Sequence, residues 1–304
     1  MKSIVTGGAG FIGSHIVDKL VELGHDVVVI DNESSEVHEH FYHRDSDPKV
    51  SYYLLDIANY EDTRHLYDGI DYVFHCAAES RIQPAIENPL LAVRTNTLGT
   101  ATVLQCAREA GVKRVMYSST SSGYGLANTP PLKEDMPDDC LNPYSVSKVS
   151  GEKLCKMYTD LFGLETVIFR YFNVYGPREP LKGPYAPVVG LFLRQHVKGE
   201  PLTIVGDGEQ RRDFTHVDDV VNANILAMQK EADPWEKIFG KVYNVGTGRN
   251  HSVLELARMI SSTVTFIPPR PAEARITLAD TGRIGDTFGW KAEKRIEDYV
   301  KERL

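Results

Sequence analysis

The sequence predicts an α/β fold, with a doubly wound parallel sheet followed by a smaller C-terminal α/β domain. Short apolar strands alternate with helices through the first half, as in βαβ units with parallel strands. A glycine-rich turn joins the first strand to the first helix. After Asn173 the alternation gives way to Gly-Pro and Gly-Asp-Gly loops. These observations predict a larger domain of residues 1–173 and 213–245, and a smaller one of residues 174–212 and 246–304.

Apolar periodicity defines each element. Strands are short runs of β-branched and aromatic residues, and helices carry apolar residues at helical spacing. The predicted strands of the sheet are Ile4–Thr6, Asp26–Ile30, Val50–Leu55, Tyr72–His75, Val115–Ser118 and Glu165–Tyr171. The predicted helices are Ile12–Leu23, Thr63–Tyr67, Val93–Ala110, Tyr144–Phe162, Pro187–Lys198, Val217–Gln229 and Ser252–Ser261.

The composition is that of an ordinary soluble globular protein, with 304 residues, 42% hydrophobic and 25% charged. The net charge of −8 argues against a general nucleic-acid or anionic-membrane binder. No apolar run approaches the roughly 20 residues of a membrane helix. The N-terminus is expected to begin with a strand and to lack a signal peptide. Scattered cysteines predict free thiols in a reducing cytoplasm; they are Cys76, Cys106, Cys140 and Cys155.

The turn after the first strand matches a dinucleotide-binding fingerprint. Gly7 permits a tight turn, Gly10 lets the backbone approach a pyrophosphate, and Gly13 lets helix and sheet pack closely. The helix N-terminus supplies N–H donors and a partial positive charge. Asp31 ends the second strand, where a carboxylate binds a ribose diol and repels a 2′-phosphate. Because no Arg or Lys lies in the next ten residues, the sequence favours NAD over NADP.

Two further strand ends are candidate cofactor contacts. Asp56 and Ile57 follow the third strand, where they could read an adenine edge or belong to the start of a helix. Ala77 and Ala78 follow the fourth strand, where small residues let a cofactor lie against backbone or serve packing alone.

Tyr144 and Lys148 form the predicted proton-transfer pair. They lie four residues apart, one helical turn on the same face. A free tyrosine has a pKa near 10, so use as a base at neutral pH needs a lowering of about three units, or ~4 kcal/mol. The Lys148 charge and an oxidised nicotinamide would favour the phenolate, and Lys148 could also hold the nicotinamide ribose. Thr120, at the end of the fifth strand, is predicted to share the proton of a substrate alcohol.

Several motifs together resemble one family. They are Tyr144-x-x-x-Lys148, the Gly7/Gly10/Gly13 spacing, and the segments 119–125, 170–178 and 206–214. With them the chain resembles the extended short-chain dehydrogenase/reductase superfamily, in its NAD-dependent nucleotide-sugar epimerase/dehydratase branch, and UDP-glucose 4-epimerases most of all. The resemblance implies a Rossmann domain with bound NAD and a C-terminal domain that grips a UDP-sugar. It also implies a homodimer through a four-helix bundle, formed by helices near Asn96–Ala110 and Tyr144–Phe162.

The motifs and the resemblance together give a site prediction, with Thr120, Tyr144 and Lys148 as catalytic residues. The predicted NAD contacts are Gly7, Gly10, Phe11, Ile12, Gly13, Asp31, Asn32, Asp56, Ile57, Ala77, Ala78, Asn96, Ser118, Tyr144, Lys148 and Tyr171. The predicted substrate contacts are Ser119, Thr120, Ser121, Tyr144, Asn173, Gln210, Arg212, Arg270 and Thr277. Among them, Arg212 and Arg270 match the family's diphosphate contacts, which suits the bidentate geometry of arginine; Arg212 could instead pair with Asp213.

The loop after the fifth strand favours one reaction. Dehydratases and UDP-glucuronate decarboxylases of this family carry a carboxylate there, whereas this chain has Ser121 and Ser122. A 4-keto intermediate would then not readily eliminate water, which favours 4-epimerisation. In the family that the chain resembles, a gate residue sets sugar size, and Thr277 matches its position. Because Thr is small, the resemblance implies that UDP-GlcNAc and UDP-GalNAc are accepted beside UDP-Glc and UDP-Gal. Ser80 stands where some epimerases have a cofactor-contacting lysine, so added NAD could be needed.

Alternatives stay open at this point. The chain could be a UDP-glucuronate 4-epimerase or a keto-sugar reductase, and the intact Thr120, Tyr144 and Lys148 argue against a non-catalytic NAD-binding regulator. His38, His40 and His43 have ligand-like spacing, but a zinc site needs four ligands and no partner is evident. They are therefore predicted to lie in a solvated loop, with no metal.

Overall fold

The structure is a computed structural model that describes residues 1–35, 38, 40–180, 186–231, 233, 237–269 and 274–304. The strands in this part are β1 Lys2–Thr6, β2 Asp26–Asp31, β3 Val50–Leu54, β4 Tyr72–His75, β5 Arg114–Thr120, β6 Glu165–Tyr171, β7 Val174–Tyr175, β8 Leu202–Val205, β9 Arg211–Arg212, β10 Thr215–His216, β11 Lys241–Val245, β12 His251–Ser252 and β13 Val264–Ile267. The α-helices are α1 Phe11–Glu22, α2 Tyr60–Thr63, α3 Ile82–Glu87, α4 Pro89–Val93, α5 Gly99–Glu109, α6 Pro143–Phe162, α7 Val188–Val197, α8 Val217–Gln229, α9 Val253–Ile260, α10 Gly282–Phe288 and α11 Ile296–Lys301.

The central sheet has the strand order β11-β6-β5-β4-β1-β2-β3. Every neighbouring pair in it is parallel. The chain builds outward from β1 through β2 to β3, then crosses back to β4 and continues on the other side. The strand order therefore reverses at β1 and β4, and a crevice opens there beyond the carboxyl ends of the strands. The predicted doubly wound α/β fold is confirmed.

Alternation along the strands supplies a hydrophobic core on each face of the sheet. Val5 faces one core, with Ile16 of α1 and Val220 of α8. Ile4 faces the other, with Leu104 of α5 and Tyr158 of α6. The strand runs are apolar at nearly every position because both faces are covered by helices.

A third core lies in the C-terminal region. It packs Phe192 of α7, Leu256 of α9 and Val300 of α11 together with β8, which pairs with β13 in a separate parallel sheet. Helix α8 packs on the central sheet and β11 pairs with β6 within it. The predicted domain boundaries, which place both elements in the first domain, stay a prediction.

The largest difference from the predicted elements is in the helix expected at Val93–Ala110. The chain there forms α4, a π-helical turn at Arg94–Leu98, and then α5. The helix begins earlier than predicted because the Asn88 side chain accepts a hydrogen bond from the Leu91 N–H and Pro89 occupies the first turn. The π turn places Asn96 inside the helix where it reaches the site described below.

Candidate active site

A cavity of about 480 Å³ opens at the carboxyl ends of β1, β2, β4 and β5. We call it the cofactor cavity. The predicted site residues that line it are Gly7, Gly10, Phe11, Ile12, Gly13, Asp31, Asn32, Ile57, Ala77, Ala78, Ser118, Ser119, Thr120, Ser121, Tyr144, Tyr171 and Asn173. Residues far apart in sequence thus meet at one place, as the strand-end argument predicts.

The three glycines of the turn differ in what requires a residue without a side chain at each position. Gly7 has φ +67°, which favours glycine, and a Cβ on Gly13 would lie 2.1 Å from the Gly7 carbonyl oxygen. Gly10 has an ordinary φ of −84°. A Cβ there would meet nothing closer than 3.4 Å, the Gly7 oxygen. Folding therefore requires Gly7 and Gly13, whereas glycine at position 10 leaves room for a ligand to approach the backbone.

The first turn of α1 is open to an anion. No side chain among the described residues caps its N-terminus at Gly10, and the turn contains no acidic residue. Free N–H groups and the helix dipole at this point suit a pyrophosphate. Asp31 lies beside it, and its carboxylate accepts hydrogen bonds from the Ala9 N–H at 3.0 Å and the Glu33 N–H at 2.9 Å. Burial raises the Asp31 pKa, while those two N–H groups lower it.

Tyr144 lies in the first turn of α6, directly facing the cofactor cavity. The start of α6 is fixed by a capping box, in which Asn142 and Ser145 bond each other's backbone, and by Pro143. Burial raises the pKa of the Tyr144 phenol, and the neighbouring Thr120 hydroxyl lowers it. The protein alone therefore raises the Tyr144 pKa, because burial outweighs the hydrogen bond from Thr120. The lowering of this pKa that the sequence predicts is not produced by the protein alone.

Lys148 lies behind the cavity wall, with 2% of its surface exposed. Its ammonium group stands over the Tyr117 ring, 4.4 Å from the centroid. Burial lowers the Lys148 pKa to about 8, and Cys76, Cys155 and Glu152 act in the opposite direction. Lys148 is therefore mainly a cation at neutral pH, and its predicted effect on the Tyr144 phenol stays a prediction.

Three predicted cofactor residues do not line the cavity: Lys148, described above, Asp56 and Asn96. Asp56 pairs with Arg94 at 2.5 Å and accepts from the Ala58 N–H at 2.8 Å. Asn96 is buried, and its amide holds the Glu79 backbone on both sides, accepting from the N–H at 2.8 Å and donating to the carbonyl at 3.0 Å. Asn96 therefore shapes the wall rather than forming its surface.

A second cavity of about 310 Å³ shares Asn173, Val174 and Pro187 with the cofactor cavity. We call it the anchor cavity. The predicted substrate residues Gln210 and Arg212 line it. Arg212 donates to the carbonyl groups of residues 211 and 275, at 3.1 and 3.3 Å, so its side chain is held from two segments. Arg270 lies outside the described residues.

Thr277 lines neither cavity. Its hydroxyl accepts a hydrogen bond from the Asn173 amide at 3.1 Å and another from the Asp213 N–H at 3.2 Å. Asn173 has φ +31°, an uncommon conformation for a residue with a side chain. Thr277 therefore acts in this structure by fixing Asn173, the residue common to both cavities, and its predicted role as a gate on sugar size stays a prediction.

Sequence reasoning missed several residues of the cofactor cavity, among them His38, Cys76, Glu79 and Arg81. His38 corrects the solvated-loop prediction, because its Nε2 lies 3.6 Å from where a Gly10 Cβ would be. The nearby His43 instead bonds Glu33 at 2.7 Å and stacks on Tyr52. In the part of the chain that the structure describes, no His, Cys, Asp and Glu cluster could hold a metal.

Comparison with known proteins identifies the class. Residues 3–246 match the NAD dependent epimerase/dehydratase family, and the chain belongs to that family. The protein is thus an NAD-dependent enzyme of the nucleotide-sugar epimerase/dehydratase class.

Individual relatives cover almost the whole chain. A UDP-glucose 4-epimerase of Mycolicibacterium smegmatis is 35% identical over 100% of this chain and 97% of its own length. A UDP-N-acetyl-alpha-D-glucosaminuronate decarboxylase of Bacillus cytotoxicus is 37% identical over 88% of this chain and 83% of its own. The crystal structure of a UDP-glucose 4-epimerase of Thermotoga maritima with UDP-glucose has TM-score 0.91 and 34% identity, covering 99% and 96% of the two chains.

The residues present fit NAD. The open first turn of α1 and the space at Gly10 suit its pyrophosphate, and Asp31 suits the adenosine ribose. The small side chains of Ala77 and Ala78 leave the end of β4 accessible. None of the described helices is long and apolar enough to cross a membrane.

Proposed function

We propose that the protein catalyses the NAD-dependent 4-epimerisation of a UDP-hexose through a transient 4-keto sugar. UDP-Glc and UDP-Gal are the proposed pair, with UDP-GlcNAc and UDP-GalNAc as further substrates. One observation carries the proposal: Tyr144 and Thr120 share a cavity wall with Ser121, which is not a carboxylate. The family resemblance implies a carboxylate at this position in members that eliminate water or decarboxylate.

The cycle needs a proton acceptor, a relay and an anchor. NAD, when bound in the cofactor cavity, would supply a reversible hydride acceptor for the sugar carbon that carries the 4-hydroxyl. Tyr144 takes the proton of the sugar 4-hydroxyl, and Thr120 shares that proton through its own hydroxyl. Arg212 holds the diphosphate while the keto sugar turns over. Tyr144 then returns the proton to the oxygen of the 4-keto group, which gives the 4-hydroxyl of the opposite epimer. The protein therefore ends each cycle unchanged.

The position of the two cavities supports the anchoring step. They meet at Asn173, Val174 and Pro187, so a nucleotide in the anchor cavity would place its sugar toward Tyr144. The relatives named for UDP-glucose epimerisation agree with this proposal. The similar decarboxylase acts on an acetamido sugar acid by its name, so family membership alone leaves the sugar undecided.

A homodimer is part of the proposal. Large apolar side chains are exposed along α4, the π turn and α6, among them Leu90 at 81%, Leu98 at 51% and Leu161 at 70%. Helices α4, α5 and α6 contact one another, and we propose that a second copy covers their exposed apolar side chains in a four-helix bundle. Analytical ultracentrifugation of the purified chain tests this; a monomer at micromolar concentration would contradict it.

Proton NMR of the purified protein tests the reaction. The protein is incubated separately with UDP-Glc, UDP-GlcNAc and UDP-GlcA, with and without added NAD. Appearance of the galacto anomeric signal establishes 4-epimerisation and identifies the sugar. Conversion of UDP-GlcA alone would favour the uronate epimerase. Net oxidation or reduction of the cofactor in proportion to product would favour a reductase. No conversion of any sugar by protein that binds NAD would reject the UDP-hexose proposal.

A further inference from the structure

Strand β5 and helix α6 touch at three successive turns of the helix. Tyr144, Lys148 and Glu152 follow one another at intervals of four residues on one helix face. Thr120 lies beside Tyr144, and the hydroxyl of Tyr117 donates to the Lys148 carbonyl oxygen at 3.1 Å. At the third turn the Ser119 hydroxyl donates to the Glu152 carboxylate. The catalytic pair is thus bracketed by contacts from the same strand.

Glu152 is itself held from the other side. Arg170, at the end region of β6, donates to both of its carboxylate oxygens, at 2.9 and 2.6 Å. Glu152 is 5% exposed and Arg170 3% exposed, and Asp138 bonds the same guanidinium at 2.7 Å. A buried pair of this kind is weak as a source of stability but costly to break, because it leaves a charge without its partner. Its bidentate geometry fixes the carboxylate in one orientation.

The direction of each hydrogen bond is fixed by chemistry. A carboxylate only accepts, so Ser119 must donate to Glu152, and both oxygens of Glu152 are occupied by donors. We propose that Glu152, held by Arg170, is a positioning residue that fixes α6 against the end of β5 and so keeps Tyr144 beside Thr120 and Lys148 beside Tyr144. The inference rests on the catalytic roles of Thr120, Tyr144 and Lys148 in the proposed function.

The charge of Glu152 supports the same role. Lys148 faces Cys76, the residue that follows β4, and Cys155 and Glu152 on α6. Burial raises the pKa of the Cys76 thiol to about 11 and raises that of Cys155 further. Both thiols are therefore neutral where Lys148 titrates, and Glu152 is the anion of this group that keeps the buried ammonium charged. Loss of the Glu152 charge would favour neutral Lys148. A shift of α6 that breaks the hydrogen bond between Tyr144 and Thr120 would raise the pKa of Tyr144, because the Thr120 hydroxyl lowers it.

The test compares Ser119→Ala, Glu152→Gln, the double variant and the control Ser150→Ala, all as NAD-loaded full chains. Ser150 is on the same helix, and its hydroxyl donates only to the Val146 carbonyl oxygen. Ser119→Ala removes one hydrogen bond and leaves the ion pair intact, so it keeps the test valid if Glu152→Gln fails to fold. The first measurement is kcat and KM against pH, on whichever sugar the wild type converts. The second is a fluorine NMR titration with 3-fluorotyrosine at position 144, which needs no sugar.

We expect kcat to fall about tenfold to a hundredfold in Ser119→Ala and in Glu152→Gln, because a small misplacement of a catalytic group costs that much. KM should change little in both. The double variant should be no worse than the poorer single variant, because both act through one unit. The fluorotyrosine titration and the rising limb of the kcat profile should move to higher pH in both, and Ser150→Ala should behave as wild type.

Two results would overturn the positioning role. One is an unchanged fluorotyrosine titration with a lower melting temperature, which would make Glu152 purely structural. The other is a higher KM with unchanged kcat in Ser119→Ala, which would make Ser119 a direct substrate contact. A wild type that converts none of the sugars would reject the proposed function, and the fluorine titration would still decide the role of Glu152.

Discussion

The cofactor cavity and the anchor cavity meet at Asn173, but the chain builds them in different ways. The walls of the cofactor cavity come largely from short segments at the ends of β1, β2, β4 and β5, which the parallel sheet places side by side. The anchor cavity combines α7, β8, the Gln210–Arg212 segment and α9, and depends on a hydrogen bond between Asn173 and Thr277, 104 residues apart. Local motifs therefore specify the first cavity, whereas long-range contacts specify the second.

The largest expected effect is the loss of kcat on substitution of Tyr144, which we propose lies where the cofactor and the sugar would meet. Tyr144→Phe removes the phenol oxygen and keeps the ring, so the fold should be preserved. We expect kcat to fall about 10³-fold, the range of a lost acid–base group, while the bound NAD content and the melting temperature match the wild type. Steady-state kinetics and cofactor extraction measure this; activity within tenfold of wild type would remove Tyr144 from the mechanism.

A matched pair of glycine variants tests the cofactor cavity. Gly13→Ala places a methyl group 2.1 Å from a backbone oxygen, so the free energy of unfolding should fall by about 3 kcal/mol or folding should fail. Gly10→Ala meets no such contact, so its stability should stay within about 0.5 kcal/mol of wild type. Its NAD affinity should nevertheless fall, because the methyl group enters the space where the pyrophosphate approaches. Denaturant unfolding and calorimetric NAD binding separate the two effects; equal stability of both variants would contradict the packing argument.

The smallest expected effect concerns the anchor cavity. Thr277→Val keeps the shape but removes the hydroxyl that orients Asn173, so KM should rise about tenfold, or roughly 1.4 kcal/mol. Thr277→Ser keeps the hydroxyl and should stay close to wild type. NAD affinity should be the same in both, since Thr277 does not line the cofactor cavity. If Thr277→Ser loses substrate binding while Thr277→Val keeps it, the methyl group rather than the hydrogen bond matters, and the role of Thr277 in orienting Asn173 is contradicted.

Prediction from the sequence was most accurate where a local rule applies. Tyr72–His75, Glu165–Tyr171 and Val217–Gln229 have the predicted bounds, because their apolar runs end sharply. The glycine turn and the Tyr144–Lys148 spacing could be predicted because each is a short sequence pattern within one local segment of the chain. The single helix expected at Val93–Ala110 was wrong in detail, since periodicity does not reveal a π turn.

By itself, the sequence determined the doubly wound fold and located the glycine turn and the Tyr144–Lys148 pair, whose role in proton transfer stays a prediction. Their signals are backbone conformation and spacing along one element, which act locally. Only the tertiary structure decided that burial raises the Tyr144 pKa, that His38 lies beside Gly10, and that Glu152 joins Ser119 to Arg170. These outcomes depend on which distant side chains exclude water and share hydrogen bonds, and such contacts exist only once the sheet and helices have packed.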